Sequence, residues 1–349
     1  MIFTGDVAIA HDDYFRFLNF PSSLLRKLWC LNLEGAVIDP SRLPPDWGIY
    51  NSSQWINSFQ EFTLTSTFIG NNHILDVEDG INITEKSLSH HNLETFGAGK
   101  DKYAASKKKV ILSGNKQYLV IGFGWSVIGC HAATSALPGV NSFEGQTARR
   151  QATEIISHSD QARVIVVIHG NYEFERYPQP AHRKLAFQLI DLGVYAVIFH
   201  HPHIVGPVER YKGRTIAYSL GNWAFSYGKF FGGKLCFPES SFHQIALEIG
   251  EDIDTVHHAR FSPPATVNYE FSESVNATDF SLTPVFEGFS HDEYTGWFKK
   301  NRLKRKLLPI YREPDNSFGN WIRDHWVAGR QILIDTAVKS GVKAMRRSA

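Results

Sequence analysis

Two of the most apolar runs in this chain stop at histidine. Val164-Ile165-Val166-Val167-Ile168 is followed by His169, and Val194 to Phe199 by His200-His201-Pro202-His203. A short continuous run rich in β-branched residues reads as a strand buried on both faces, which belongs in a sheet covered by helices. Such a strand carries whatever follows it to the carboxyl edge of the sheet, where side chains from separate strands converge. Imidazole at two of these ends constrains fold and chemistry together, because it is the commonest metal ligand and titrates near neutrality.

The rest of the chain repeats the arrangement. Strands are expected at 2–9, 28–33, 64–70, 108–113, 117–123, 215–220 and 242–249, with helices at 80–95, 144–158 and 181–192 and a short hairpin at Lys212-Gly213. Polar residues of ligand type recur at strand ends: Gly5-Asp6, Asn32-Leu33-Glu34-Gly35, Gly70-Asn71-Asn72-His73-Ile74-Leu75-Asp76, His169-Gly170-Asn171-Tyr172-Glu173 and Tyr218-Ser219-Leu220-Gly221-Asn222. Taken singly, Asp6 and Asp76 read as turn or helix-capping carboxylates, and Ser219 and Asn222 as turn residues as readily as substrate contacts. Taken together, in chain order, they describe one metal site, with Glu34 able to bridge two ions. Histidines one residue apart on an extended segment point the same way, so His201 and His203 are expected to reach one metal or two adjacent ones.

The expected organisation is a domain over 1–265 followed by a mainly helical extension over 266–349, with helices at 290–307 and 318–346, where the ligand pattern stops. With 349 residues and 43% hydrophobic content the chain can bury a large core. A net charge of +1 leaves no global field toward nucleic acid. Three widely spaced cysteines, Cys30, Cys130 and Cys236, fit neither a disulfide framework nor a zinc ribbon. The opening residues are strand-like without a signal peptide, and no apolar run is long enough to span a bilayer, so the cytoplasm is the expected location. The basic stretch Lys299 to Lys306 reads first as a solvated helix face, and second as a patch for an anionic polymer or peripheral contact with a lipid surface.

These motifs resemble the CapA family of poly-γ-glutamate capsule synthesis proteins, related to calcineurin-like metallophosphoesterases, in ordered segments from about residue 3 to 226. The resemblance implies an α/β fold: a four-layer α-β-β-α metallophosphatase-like sandwich with metals at the strand carboxyl ends. It also implies Asp6, Glu34, Asn72, His169, His201 and His203 as ligands, His73 as general acid or charge stabiliser oriented by Asp76, and Glu173 against an amine or a neighbouring histidine. Asn32, Ser219 and Asn222 are the candidates for substrate contact. Gly170 and Phe199 depart from the family, which usually has tryptophan and glycine there.

The implied cofactor is a divalent metal, as two ions, and a shell of oxygen and nitrogen without sulfur selects manganese, iron or zinc. The expected function is a metal-dependent hydrolase of capsule or exopolymer synthesis. A metal-activated water would attack an amide or a phosphoester, with anionic polymer or small substrates and capsule synthesis or export proteins as partners. Two alternatives stay open: a non-catalytic polymer-binding or export component, and a general phosphodiesterase or nucleotidase.

Overall fold

The computed structural model describes residues 1–43, 47–159, 161–303, 308–315 and 318–339. In chain order the principal strands are β1 (Ile2–Ala8), β2 (Arg16–Leu18), β3 (Leu28–Leu33), β4 (Thr63–Phe68), β5 (Glu94–Phe96), β6 (Lys109–Ser113), β7 (Lys116–Gly124), β8 (Arg163–His169), β9 (Ala196–His200), β10 (Val208–Tyr211), β11 (Arg214–Ala217), β12 (Asn222–Phe225), β13 (His243–Glu248), β14 (Thr255–Ser262) and β15 (Thr266–Ser274). The principal helices are α1 (Gly80–Ser89), α2 (Gly145–Ser157), α3 (Pro180–Asp191), α4 (His291–Asn301) and α5 (Phe318–Lys339).

Among the described residues two large sheets form. The nine-stranded sheet runs β2-β15-β14-β13-β1-β3-β4-β5, with β12 pairing along the second half of β1. The six-stranded sheet runs β10-β11-β9-β8-β7-β6. At the centre of each, β1-β3-β4 and β7-β8-β9-β11 are parallel, so their carboxyl ends share an edge.

Three apolar layers follow from the alternation of side chains across the strands. Phe3, Phe68, Val120, Ile165, Val167, Ile198 and Leu247 meet between the sheets. On the far side of the six-stranded sheet, Ile121, Val166, Ile168 and Val197 pack under Ala148, Ala152, Leu185 and Leu189 of α2 and α3, and under Tyr294 and Phe298 of α4. On the far side of the nine-stranded sheet, Val7, Leu31 and Leu33 lie under Ile81 and Leu88 of α1 and an aromatic group that includes Trp29, Trp55, Phe59 and Trp223. The result is the expected α-β-β-α sandwich. Fully burying one such aliphatic or aromatic side chain contributes about 1.5–3 kcal/mol, so the two strand runs ending in His169 and His200 sit on strongly held supports.

Close backbone approach joins the sheets at one point. The Asp6 amide donates to the Gly221 carbonyl at 2.9 Å, and a Cβ on Gly5 would lie 2.2 Å from that same oxygen. Gly221 itself has φ +71°. The expected strand 215–220 therefore stops early: β11 ends at Ala217, the chain crosses over through 218–221, and a separate strand, β12, starts at Asn222 in the other sheet.

Other expectations shift as well. The helix expected over 80–95 stops at Ser89, and Glu94–Phe96 is strand. Residues 266–274, expected in a helical extension, form β15 and hydrogen-bond to β14 across residue 265. The helix expected over 290–307 is described as His291–Asn301, and residues 304–307, including Lys304, Arg305 and Lys306 of the basic stretch, lie outside the described residues. The helix expected over 318–346 is described as Phe318–Lys339, with 340–346 outside. No helix of the described residues is long and apolar enough to cross a membrane.

Candidate metal centre

Asp6 lies inside β1, where Asn32 of β3 and Asn222 of β12 are its two register partners. Asn32 Nδ2 donates to Asp6 Oδ1 at 2.6 Å, and the His201 amide donates to Asp6 Oδ2 at 3.3 Å. The rings of His200 and His203 bring Nδ1 to 3.2 and 3.1 Å from the same carboxylate. Burial alone would raise the Asp6 carboxyl, but the hydrogen bonds from His200 and His203 outweigh it and hold the group well below the usual carboxylate range.

Glu34 follows the end of β3 and is wholly buried. Its amide donates to the Val7 carbonyl at 2.8 Å, and its own carbonyl accepts from Asn51 Nδ2 at 2.8 Å. Next to it, Gly35 turns with φ +83° and donates its amide to Asn71 Oδ1. The backbone is fixed, yet neither carboxylate oxygen has a hydrogen-bond partner. His73 Nε2, His203 Nε2 and His169 Nε2 stand 3.8, 3.8 and 3.9 Å from Oε1, beyond hydrogen-bond reach. Burial pushes the Glu34 carboxyl up to about 7; His203 and His73 oppose the rise, and Asp6 and Glu173 add to it.

Two groups able to hold a metal ion meet at this carboxylate. Glu34, His169 and His201 form one, and Asp6, Glu34 and His203 the other, with ligand atoms in each group within 4.8 Å of one another. A buried carboxylate without donors is costly unless a cation supplies the missing charge. The orphaned oxygens of Glu34 and the nitrogen-oxygen donor set therefore fit a divalent metal.

The histidines reach their places by different means. His169 is the last residue of β8, and its Nε2 lies 2.8 Å from Asn72 Oδ1. Burial drives its pKa well down, with His201 beside it at 5.0 Å between ring centroids. His201 and His203 do not sit on an extended segment as expected. Their φ values are +96° and +58°, so each turns separately and they serve different groups. Burial disfavours the His203 cation, but Glu34 and Asp6 outweigh it and lift its pKa to about 10. Asn222 Oδ1 also faces His203 Nδ1 at 2.9 Å.

His73 takes its backbone orientation from Asn71, whose Oδ1 accepts the His73 amide at 3.1 Å. Its Nδ1 meets Asp76 Oδ2 at 2.7 Å, which turns Nε2 toward the cluster. Glu173 is close enough for its charge to raise both Glu34 and His203. Of the three residues expected at the substrate, Asn32 holds Asp6 and Asn222 faces His203, while the Ser219 hydroxyl accepts the Gly221 amide at 3.2 Å within the crossover turn. Sequence reasoning passed over His200, Asn71 and Asn51. His200 and Asn71 each stand beside a chosen neighbour at a strand end; Asn51 follows no apolar run, and nothing in the sequence marks it.

Residues 3–227 match the family described as Bacterial capsule synthesis protein PGA_cap, and that span contains every residue of the cluster. The chain belongs to this family. The PGA biosynthesis protein CapA of Bacillus subtilis (strain 168) is 28% identical to it over 185 residues, 52% of this chain and 47% of that protein. The capsule biosynthesis protein CapA of Bacillus anthracis is 27% identical over 177 residues, 50% of this chain and 43% of that protein. This PGA_cap member thus spans about half the length of the curated relatives it matches. Among solved structures, one described as a putative 5'-nucleotidase from Staphylococcus aureus aligns with 86% of this chain and 58% of its own, at 12% identity and a TM-score of 0.39. That likeness is too slight to add to the layering already described.

Proposed function

We propose that this PGA_cap protein is a metal-dependent hydrolase of poly-γ-glutamate capsule synthesis, cleaving an amide or phosphoester at the Glu34 cluster. The observation that carries the reading is the shared carboxylate: Glu34 belongs to two ligand groups and has no other partner for either oxygen. Two ions, manganese, iron or zinc, suit this arrangement, with Asn72 completing the side next to His169. When bound, such metals supply Lewis acidity and lower the pKa of water. Asp6, Glu34, Asn72, His169, His201 and His203 hold them, and Asn32 keeps Asp6 in place.

His73 stands at the more open side with Asp76 behind it, the arrangement of an imidazole that donates a proton to a leaving group. The Asp76 carboxylate accepts from His73 Nδ1–H and fixes the ring, so that Nε2 is the nitrogen that exchanges a proton with the leaving group. Glu173, at the rim, favours a cationic or amine-bearing substrate group. Asn222 and Ser219 border the site through His203 and the crossover turn, which makes them positioning residues. The capsule context comes from the relatives named above.

Metal analysis of the purified full chain tests this reading. Bound transition metal is expected in the parent and lost in Glu34→Gln and in His201→Ala, both still folded by circular dichroism. Absence of metal from the parent after preparation with added manganese, iron or zinc would overturn it. Parallel assays on p-nitrophenyl phosphate and on a γ-glutamyl polymer then divide phosphoester from amide cleavage. Turnover confined to the phosphate ester would move the assignment to a general nucleotidase-type phosphomonoesterase.

A further inference from the structure

Helix α5 is amphipathic in the inverse sense. At 3.6 residues per turn, Phe318, Trp321, Ile322, Trp326 and Leu333 fall on one stripe. All five are exposed, Phe318 to 77% and Leu333 to 72%. Two polar side chains turn toward the body: Asn320 donates to the carbonyls of Glu313 and Asp315, and Asp324 accepts from the Tyr311 hydroxyl at 2.7 Å. A helix packed only for its own domain does the reverse. Rings along the stripe meet one another: Phe318 stacks on Trp321 at 5.8 Å, and the Trp321 ring lies tilted against His325 at 4.0 Å. A contiguous apolar strip rimmed by charge marks an interaction surface.

Charge identifies what the strip meets. Residues 299–349 carry thirteen Lys and Arg against four Asp and Glu, whereas the whole chain carries 36 against 35. The body is correspondingly acidic, and the cations are concentrated in the part of the chain that bears the aromatic helix. Arg323 and Arg330 follow the stripe along one edge. Trp and Phe on one side of a helix with Arg323 and Arg330 beside them suit the boundary between headgroups and acyl chains.

We infer that α5 is an interfacial helix that lays its aromatic stripe into an anionic lipid surface. Docking also orients the molecule. Helix α5 packs on the short turn Ser126–Ile128, and the next residue, Gly129, lies beside Asn72. The same helix therefore ties the proposed lipid contact to the turn that borders Asn72. The inference stands on the helix and the charge distribution alone and does not depend on the hydrolase reading.

Co-sedimentation of the full chain with vesicles of phosphatidylcholine alone, and of phosphatidylcholine with phosphatidylglycerol, tests it. The protein is expected to pellet with the phosphatidylglycerol vesicles only, less so in high salt. Trp321→Ser with Trp326→Ser is expected to weaken that partition by about tenfold or more, with the fold retained by circular dichroism. Equal binding by parent and double variant would assign the contact to the basic residues and overturn the proposal. So would failure to bind either vesicle. Self-association in the ultracentrifuge that the double variant abolishes, without vesicle binding, would assign the stripe to a second copy instead.

Discussion

Glu34 has a backbone held by Val7 and Asn51, with Gly35 beside it held by Asn71, and a carboxylate without a hydrogen-bond partner. His73 and His201 approach it from opposite circumstances. His201 is buried within a ligand group, whereas His73 keeps some exposure and spends Nδ1 on Asp76. Replacing each by alanine separates the roles. His73→Ala is expected to retain bound metal and lose about 10²–10⁴ in turnover, measured by kinetics beside metal analysis. A His73→Ala protein at full rate would remove it from the chemistry. At this scale the types of residue in the cluster were legible only jointly, because a single carboxylate or amide at a strand end serves equally as a turn or cap, whereas the ordered set with two imidazole-ended strands does not. The geometry of His201 and His203 was not. Period-two reasoning assumes extended backbone, and two left-handed residues around Pro202 break that assumption.

Between residue and site stand the strand ends, and Phe68 shows how they are set. Its ring fills a slot left by three glycines: a Cβ on Gly70, Gly97 or Gly122 would lie 2.6, 2.3 or 2.4 Å from the nearest ring atom. On its other side the ring lies 6.1 Å from that of His200. Gly122→Ala is accordingly expected to destabilise the fold by about 1–3 kcal/mol through overpacking, read from urea denaturation, and to loosen the neighbouring ligand loop. An alanine tolerated without loss of stability would mean that the ring has room to move. The apolar strands β8 and β9 were plain in the sequence because both faces are buried. Strands β14 and β15 were not, since His257, His258, Asn268 and Glu270 interrupt any apolar run. There tertiary pairing wins over pattern: His258 finds His243 and Glu273, and His257 finds Glu248 and Ser272.

Across the whole molecule, the seam between β1, β13 and β14 is closed by charge as well as by the sheet. Burial would raise the Glu248 carboxyl, but hydrogen bonds from His257 and Lys27 outweigh it and bring it down to about 2. A carboxyl depressed on folding stabilises the native state above its unfolded pKa, near 4.5, and that contribution is lost as pH falls toward 2. Urea denaturation at pH 6 and pH 3 is expected to show a larger acid loss for the parent than for Glu248→Gln. Equal losses would place the acid sensitivity elsewhere. The layered architecture was readable from the alternation of strands and helices. The crossing of the chain at Gly221 was not, because the run from Thr215 to Leu220 looks like one strand until Gly221, just beyond it, is seen bonded to Asp6.

That crossing has a consequence for assembly. Asp6 and Glu34 belong to one sheet, while His169, His201 and His203 belong to the other, so neither half of the sandwich owns a complete ligand group. The pocket comes into being only when the halves dock, and any ion that settles in it rivets them together. Chelation should therefore soften the seam between the sheets before it disturbs either one.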